Sequence, residues 1–304
     1  MNDKHPRTSP AIRFWARGLL ALCLGIAGLG AVQAQDAAAL KARYTALQDK
    51  LANNQFGRPL NLESTQTSGD LKGDIYSVVE YPFATVDEAI KPADHWCDIL
   101  ILHLNVKGCK ATSSGAGTST VAVAAGRKFD QPIEDAYKLD FVHRVGKSAP
   151  DYVQVLLNAD EGPFGTKNYR IQLQATPIDA HKTFIHMSYS YGYGMAAKMA
   201  TQAYLATVGS QKVGFTSSER GADGKPVYIG GVLGLLERNT MRYYLAIDSY
   251  LSSYSAPAAE RTEKALQTWY DATERYATQL HEMEKSEYME MKRKEVARQR
   301  AAAK

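Results

Sequence analysis

The chain has 304 residues and a formal charge of +4, from 36 lysines and arginines against 32 aspartates and glutamates. Lys4, Arg7, Arg13 and Arg17 against Asp3 place +3 of that charge in the first 34 residues, so the remaining 270 are close to neutral. A near-neutral body with no basic stripe is a poor nucleic-acid binder, and its length suits one large domain or one domain with a helical appendix.

Residues 1–34 are expected to be a cleaved targeting segment. The basic stretch leads into the apolar run Gly18–Val32, too short to span a bilayer comfortably, and small residues at Val32 and Ala34 precede Gln35. Cys23 follows Leu22, where lipid attachment needs a small residue. The expected location is therefore periplasmic or secreted. Export puts Cys97 and Cys109 in an oxidising compartment, where a structural disulfide is expected, worth about 2–3 kcal/mol. A strand between them separates the two Cα atoms too far for a bridge, so the chain must turn back at Lys107-Gly108 or Cys97 must sit on a bent lead-in. A metal site or redox pair lacks the CxxC spacing, and no cofactor or metal is expected.

Asp36–Asn54 reads as a helix with Leu40, Tyr44, Leu47 and Leu51 on one stripe. Short strands follow at 60–67 and 73–81, and Thr85 with Glu88 makes a capping box for a brief helix. From Asp98 the pattern reads as β: Ile99–Val106, Thr120–Ala125, Ala136–Val145 (with Tyr137, Leu139, Phe141 and Val145 on one face), Tyr152–Ala159 and Asn168–Thr176. Gly/Ser/Thr residues at Thr112–Ser119 and Gly162-Pro-Phe-Gly165 mark turns. The last strand sets Ile185, Met187, Tyr189, Tyr191 and Tyr193 on one face and Phe184, His186, Ser188 and Ser190 on the other. Strands about a dozen residues apart with short turns imply an antiparallel meander. Helical spacing then returns over Met195–Val208. A hairpin surrounds 221–224, a tyrosine-rich helix covers Leu233–Tyr254, and Ala258 to about Ala297 reads as one long polar helix with a basic tail. The expected organisation is thus 1–34 targeting segment, 35–72 N-terminal helix and strand, 73–257 main α+β domain, and 258–304 polar helix and tail.

This order of elements over Gly73–Val208 resembles the helix-grip superfamily, which includes START-type lipid-transfer domains, plant allergen-like proteins and bacterial polyketide cyclases. The resemblance implies a curved antiparallel sheet wrapped round a helix, with a hydrophobic cavity between them. Two helices compete for the gripping position, Met195–Val208 and Leu233–Tyr254. The segments Trp96-Cys-Asp-Ile-Leu, Gly162-Pro-Phe-Gly-Thr and Glu237-Arg-Asn-Thr-Met-Arg-Tyr-Tyr244 look like marks of an exported proteobacterial family.

No nucleophile elbow, phosphate loop or dinucleotide fingerprint is present, and His281-Glu282 lacks the second histidine of a zinc helix, which leaves it as a solvated face. His103, His143 and His186 are the histidines within strand patterns, and as acid–base groups they would have to share one void. A strand histidine is more often structural. Arg238 and Arg242 lie one turn apart near Glu237 and Asp248. They suit either an anionic head-group clamp or a salt-bridge anchor, and the anchor is favoured because helix charges usually satisfy each other. Tyr189, Tyr191, Tyr193, Met199 and Tyr244 pack a core or, as the resemblance implies, line a pocket.

The leading expectation is an exported carrier of a hydrophobic small molecule such as a lipid. The alternatives are a cyclase- or hydrolase-like enzyme using the strand histidines, and an envelope protein contacting membrane or partner through its C-terminal helix.

Overall fold

The computed structural model describes residues 36–113, 117–207 and 209–302; the expected targeting segment with Cys23, part of the Thr112–Ser119 turn, Val208 and the last two residues lie outside them. Alternating apolar and polar positions build an eight-stranded antiparallel sheet. Its meander runs β3 (Val106–Ser113), β4 (Thr118–Ala125), β5 (Tyr137–Ala149), β6 (Tyr152–Glu161), β7 (Thr166–Pro177) and β8 (Thr183–Tyr193). β8 then pairs with β2 (Asp70–Val79), which pairs with the edge strand β1 (Leu60–Gln66). The two faces differ as the alternation of β8 requires. Ile185, Met187 and Tyr189 join the main core, whereas Phe184 joins a separate cluster on the outer face. That outer cluster is closed by helix α1 (36–46) and α2 (Gln48–Ala52), through Ala37, Leu40, Leu47 and Leu51 against Tyr76, Tyr152 and Phe184.

β2 connects to the opposite edge of the sheet through α3 (Phe83–Ile90) and α4 (Ala93–Leu100). Pro82 and Pro92 precede these helices as their N-caps, with extended ψ of 143° and 138°. Thr85 lies inside α3 and makes no side-chain cap. The run Ile99–Val106 is not a strand. Its first residues finish α4, 101–105 turn, and the strand begins at Val106. A short apolar run suits a buried helix as well as a strand, and Trp96, Cys97, Ile99 and Leu100 are all buried here. Cys97 therefore sits on a helix and Cys109 on β3, with Cα atoms 5.2 Å apart and the disulfide formed. The helical lead-in removes the geometric difficulty that an extended segment would pose.

The gripping helix is α6 (Gly231–Ser253), not α5 (Met195–Ala206). Only Ala197 of α5 is buried, and Met195 and Met199 point to solvent. α6 by contrast buries Leu236, Met241, Leu245, Ile247 and Leu251, each at 2% exposure or less and each worth about 1.5–3 kcal/mol. It approaches β2 closely enough that a Cβ on Gly73 would fall 2.2 Å from the Thr240 hydroxyl. One helical turn on, the Tyr244 hydroxyl meets Ser77 Oγ at 2.9 Å. Val145, expected inward, is exposed, because a register shift after it releases that end of β5.

Beyond the small hairpin β9 (Ser217–Arg220) and β10 (Pro226–Tyr228), the polar C-terminal stretch is divided into α7 (Ala258–Glu274), α8 (Ala277–Leu280) and α9 (Lys285–Ala301). α9 folds back against the edge strand β3. Tyr288 donates to Leu102 O, the Lys292 ammonium donates to His103 O and Val106 O, and Gln299 accepts the Cys109 amide. An edge strand covered in this way is closed to pairing with another chain. Lys107, Lys292 and Glu295 form a fully buried ionic trio, Glu295 lying 3.0 and 2.8 Å from the two ammoniums.

Candidate ligand cavity

Between the inner face of the meander, α6 and the connection 126–135 lies a cavity of about 1010 Å³. β4 and β5 supply Val123, Leu139 and Phe141; β7 and β8 supply Tyr169 and Tyr189; α6 supplies Leu235, Asn239 and Tyr243 at one-turn spacing. The connection 126–135, the 3₁₀ turn Pro163–Gly165 and Tyr204 of α5 complete the wall. Exposed Phe129, Tyr137 and Phe164 mark the mouth. Phe164 has a positive φ of 57°, uncommon for a bulky residue, and its ring lies 4.9 Å from that of Tyr137.

Polar groups line one side of the void, His103, Asn105, Arg127, Lys128, Gln131 and Asn239 with the tyrosine hydroxyls, and the carboxylates of Asp130 and Asp135 lie on its exposed connection. His103 stacks on Tyr243 at 4.7 Å, and its Nδ1 accepts the Asn105 amide. The proton of the neutral ring is therefore on Nε2, which has no partner among the described residues. Burial first, then Arg242, Lys292, Lys128 and Lys107, holds His103 well below the usual histidine range. Burial pushes the Tyr189 and Tyr243 phenols up, so both stay protonated.

Behind Lys128 and Tyr204 lies a cluster that was not legible in the sequence. Glu282, between α8 and α9, takes Lys128 at 2.6 Å, Arg242 at 2.8 Å, Arg238 at 3.0 Å and Lys212 at 3.1 Å. Arg238 and Arg242 are wholly buried. Burial opposes the charge on Glu282, but Arg242, Lys128 and Lys212 outweigh it and hold the carboxyl at about 2. Burial pulls Arg242 down to about 10 against the pull of Glu282. The neighbours expected for these arginines are engaged elsewhere. Glu237 accepts from Ser64, from the Phe215 and Thr216 amides and from the Thr216 hydroxyl, and Asp248 pairs with Arg58 at 2.9 Å.

Of the residues singled out in the sequence, His103 and Tyr189 line the cavity. Tyr191 and Tyr193 border a separate void of about 130 Å³. Tyr244 is core beneath Arg58, Met199 is exposed, and Arg238 and Arg242 lie behind the lining. The three histidines do not meet. His143 is buried away from the cavity wall, and burial lowers its pKa despite Asp94. His186 is on the outer face, bonded to Asp74 at 2.7 Å and Gln174 at 2.8 Å and stacked on Tyr76. Asn239, Lys128 and Tyr204 escaped notice because nothing local distinguishes them. Among the described residues no group of three His, Cys, Asp or Glu side chains is placed to hold a metal.

No family model and no curated protein matches the chain. Among solved structures it is similar to a conserved protein from Geobacillus kaustophilus, at 15% identity over 60% of this chain and 95% of that one, TM-score 0.36. It is also similar to the Zhui aromatase/cyclase from Streptomyces sp. R1128, at 10% identity over 69% and 94%, TM-score 0.32. Human StAR-related lipid transfer protein 5 follows, at 11% identity over 58% and 90%, TM-score 0.31. With its strand order and the burial of α6 between sheet and C-terminal helices, the chain has an α+β fold of helix-grip type.

Proposed function

We propose that the protein binds an apolar or amphipathic small molecule, lipid-like in size, in the cavity beneath α6. The observation that carries this reading is the cavity itself, about 1010 Å³, with an aliphatic and aromatic wall from the sheet and α6 and a polar side at His103, Lys128 and Asn239. Mostly apolar clefts of this size suit small-molecule ligands. Native mass spectrometry of gently purified protein, with organic extraction of the same sample, tests it. A retained molecule of lipid size is expected; protein that is free of adducts and takes up no apolar dye contradicts it.

A catalytic reading draws support from His103 alone, which borders the cavity. With Nδ1 occupied and Nε2 protonated, it serves as a donor rather than a base. Contact with membrane or envelope through the C-terminal helix would fall to the outer side of α9, since its inner side packs on β3. We infer that the mature protein works outside the cytoplasm, supported by the targeting pattern at 1–34 and by the Cys97–Cys109 disulfide. N-terminal sequencing of the protein from the cell envelope or medium should begin at Gln35; recovery of the intact chain from the cytoplasm would count against export.

A further inference from the structure

Four cations converge on one carboxylate beside the cavity, which leaves three positive charges without a counter-ion there. Nε and Nη1 of both Arg238 and Arg242 are buried without hydrogen-bond partners among the described residues. Buried guanidinium donors with no acceptor are rare and costly, so the site is short of acceptor oxygens. The shortage reaches the cavity where Lys128 and Tyr204 enter its wall, the ammonium 6.0 Å from the ring. The unpartnered Nε2–H of His103 belongs to the same lining, as does the Asn239 side chain. The carboxylates of the lining, Asp130 and Asp135, are exposed on the connection at the mouth.

Resting on the reading of this cavity as a small-molecule site, we propose that its ligand is an amphipathic anion. Its carboxylate-, phosphate- or sulfonate-type group sits among Lys128, His103, Asn239 and Tyr204, and its apolar body lies along the aromatic wall toward Tyr137 and Phe164. The anion accepts from the donors of the lining and offsets part of the excess charge of the cluster behind them.

Two fluorescent probes that differ by one anionic group test this on the full chain: anilinonaphthalene sulfonate and its neutral counterpart N-phenylnaphthylamine. The sulfonate is expected to bind at least about tenfold tighter, the effect of one charge-assisted hydrogen bond. Lys128→Gln and, separately, Asn239→Leu should shrink that preference while leaving the neutral probe's affinity in place. Acetate and inorganic phosphate, which carry charge without an apolar body, should not displace the bound sulfonate. Equal or weaker binding of the sulfonate overturns the inference and leaves the cavity reading standing. A preference untouched by both substitutions overturns the assignment of the anionic end, and displacement by acetate or phosphate alone overturns the amphipathic requirement. Binding of neither probe removes the cavity reading with it.

Discussion

Glu282→Gln keeps the shape of the side chain at the centre of the cation cluster and removes its charge. A carboxylate held at about 2 rather than its ordinary 4.5 corresponds to about 3 kcal/mol of stabilisation of the folded state at neutral pH. The side chain is 9% exposed, so little of this is lost to solvent screening. Removing the charge also leaves Arg238 and Arg242 buried without an anion, which places the expected loss at about 3–5 kcal/mol. Equilibrium urea unfolding reads it directly, and a fall in Tm of roughly 6–12 °C should accompany it. The pH dependence has a definite sign. Because the folded pKa is depressed, the contribution is complete above about pH 4.5 and disappears as pH falls toward about 2, where it no longer separates the two proteins. The gap between wild type and Glu282→Gln should therefore close on acidification. A variant within about 1 kcal/mol of wild type at neutral pH, or a gap undiminished by acid, would refute the electrostatic account of the cluster.

Other parts of the fold make comparable predictions. Reducing the Cys97–Cys109 bridge, or replacing both cysteines with serine, should lower stability by about 3 kcal/mol from loop entropy alone; denaturation curves with and without a thiol reductant check this, and identical midpoints contradict it. Gly73→Ala sets a Cβ against Thr240 and should destabilise by about 1–3 kcal/mol; Thr240→Ala added to it should recover part of the loss in the same assay, and additive losses would mean that α6 does not press on β2 there. Glu295→Gln strands the buried ammoniums of Lys107 and Lys292 and should lower stability by about 3–5 kcal/mol. Hydrogen exchange should then show opening first in α9 and β3; uniform protection would contradict the role of the trio.

The meander was legible because two-residue alternation survives in every strand from β5 to β8, and the split of β8 into Tyr189 and His186 faces follows from it. The pairing of the cysteines was legible from their count and the expected export, whereas the helical position of Cys97 was not. A fully apolar run has no period to read, and burial of Trp96 and Ile99 decided for helix. The choice of gripping helix turned on packing. Met195 and Met199 trace a stripe, but so Ala-rich a helix offers little apolar bulk to drive docking, and its methionines stay exposed. The polar C-terminal stretch contains no Gly or Pro to break it after Pro257. What divides it is tertiary: His281 leaves helical geometry and Glu282 is drawn into the cluster. That contact joins residues 40 positions apart in sequence, and the Lys107–Glu295 pair joins residues 188 apart. Glu282 therefore looked like part of a solvated face, and the anion expected for Arg238 was its neighbour Glu237.

The central claim is that the void between sheet and α6 holds a small molecule. Ala125, on the cavity wall in β4, gives the means to fill part of it without touching the charged cluster. In Ala125→Trp the indole takes up part of the void and should weaken N-phenylnaphthylamine binding and the retention of the adduct in native mass spectra, with the thermal transition kept. Binding of the neutral probe at wild-type affinity by folded Ala125→Trp would contradict the claim.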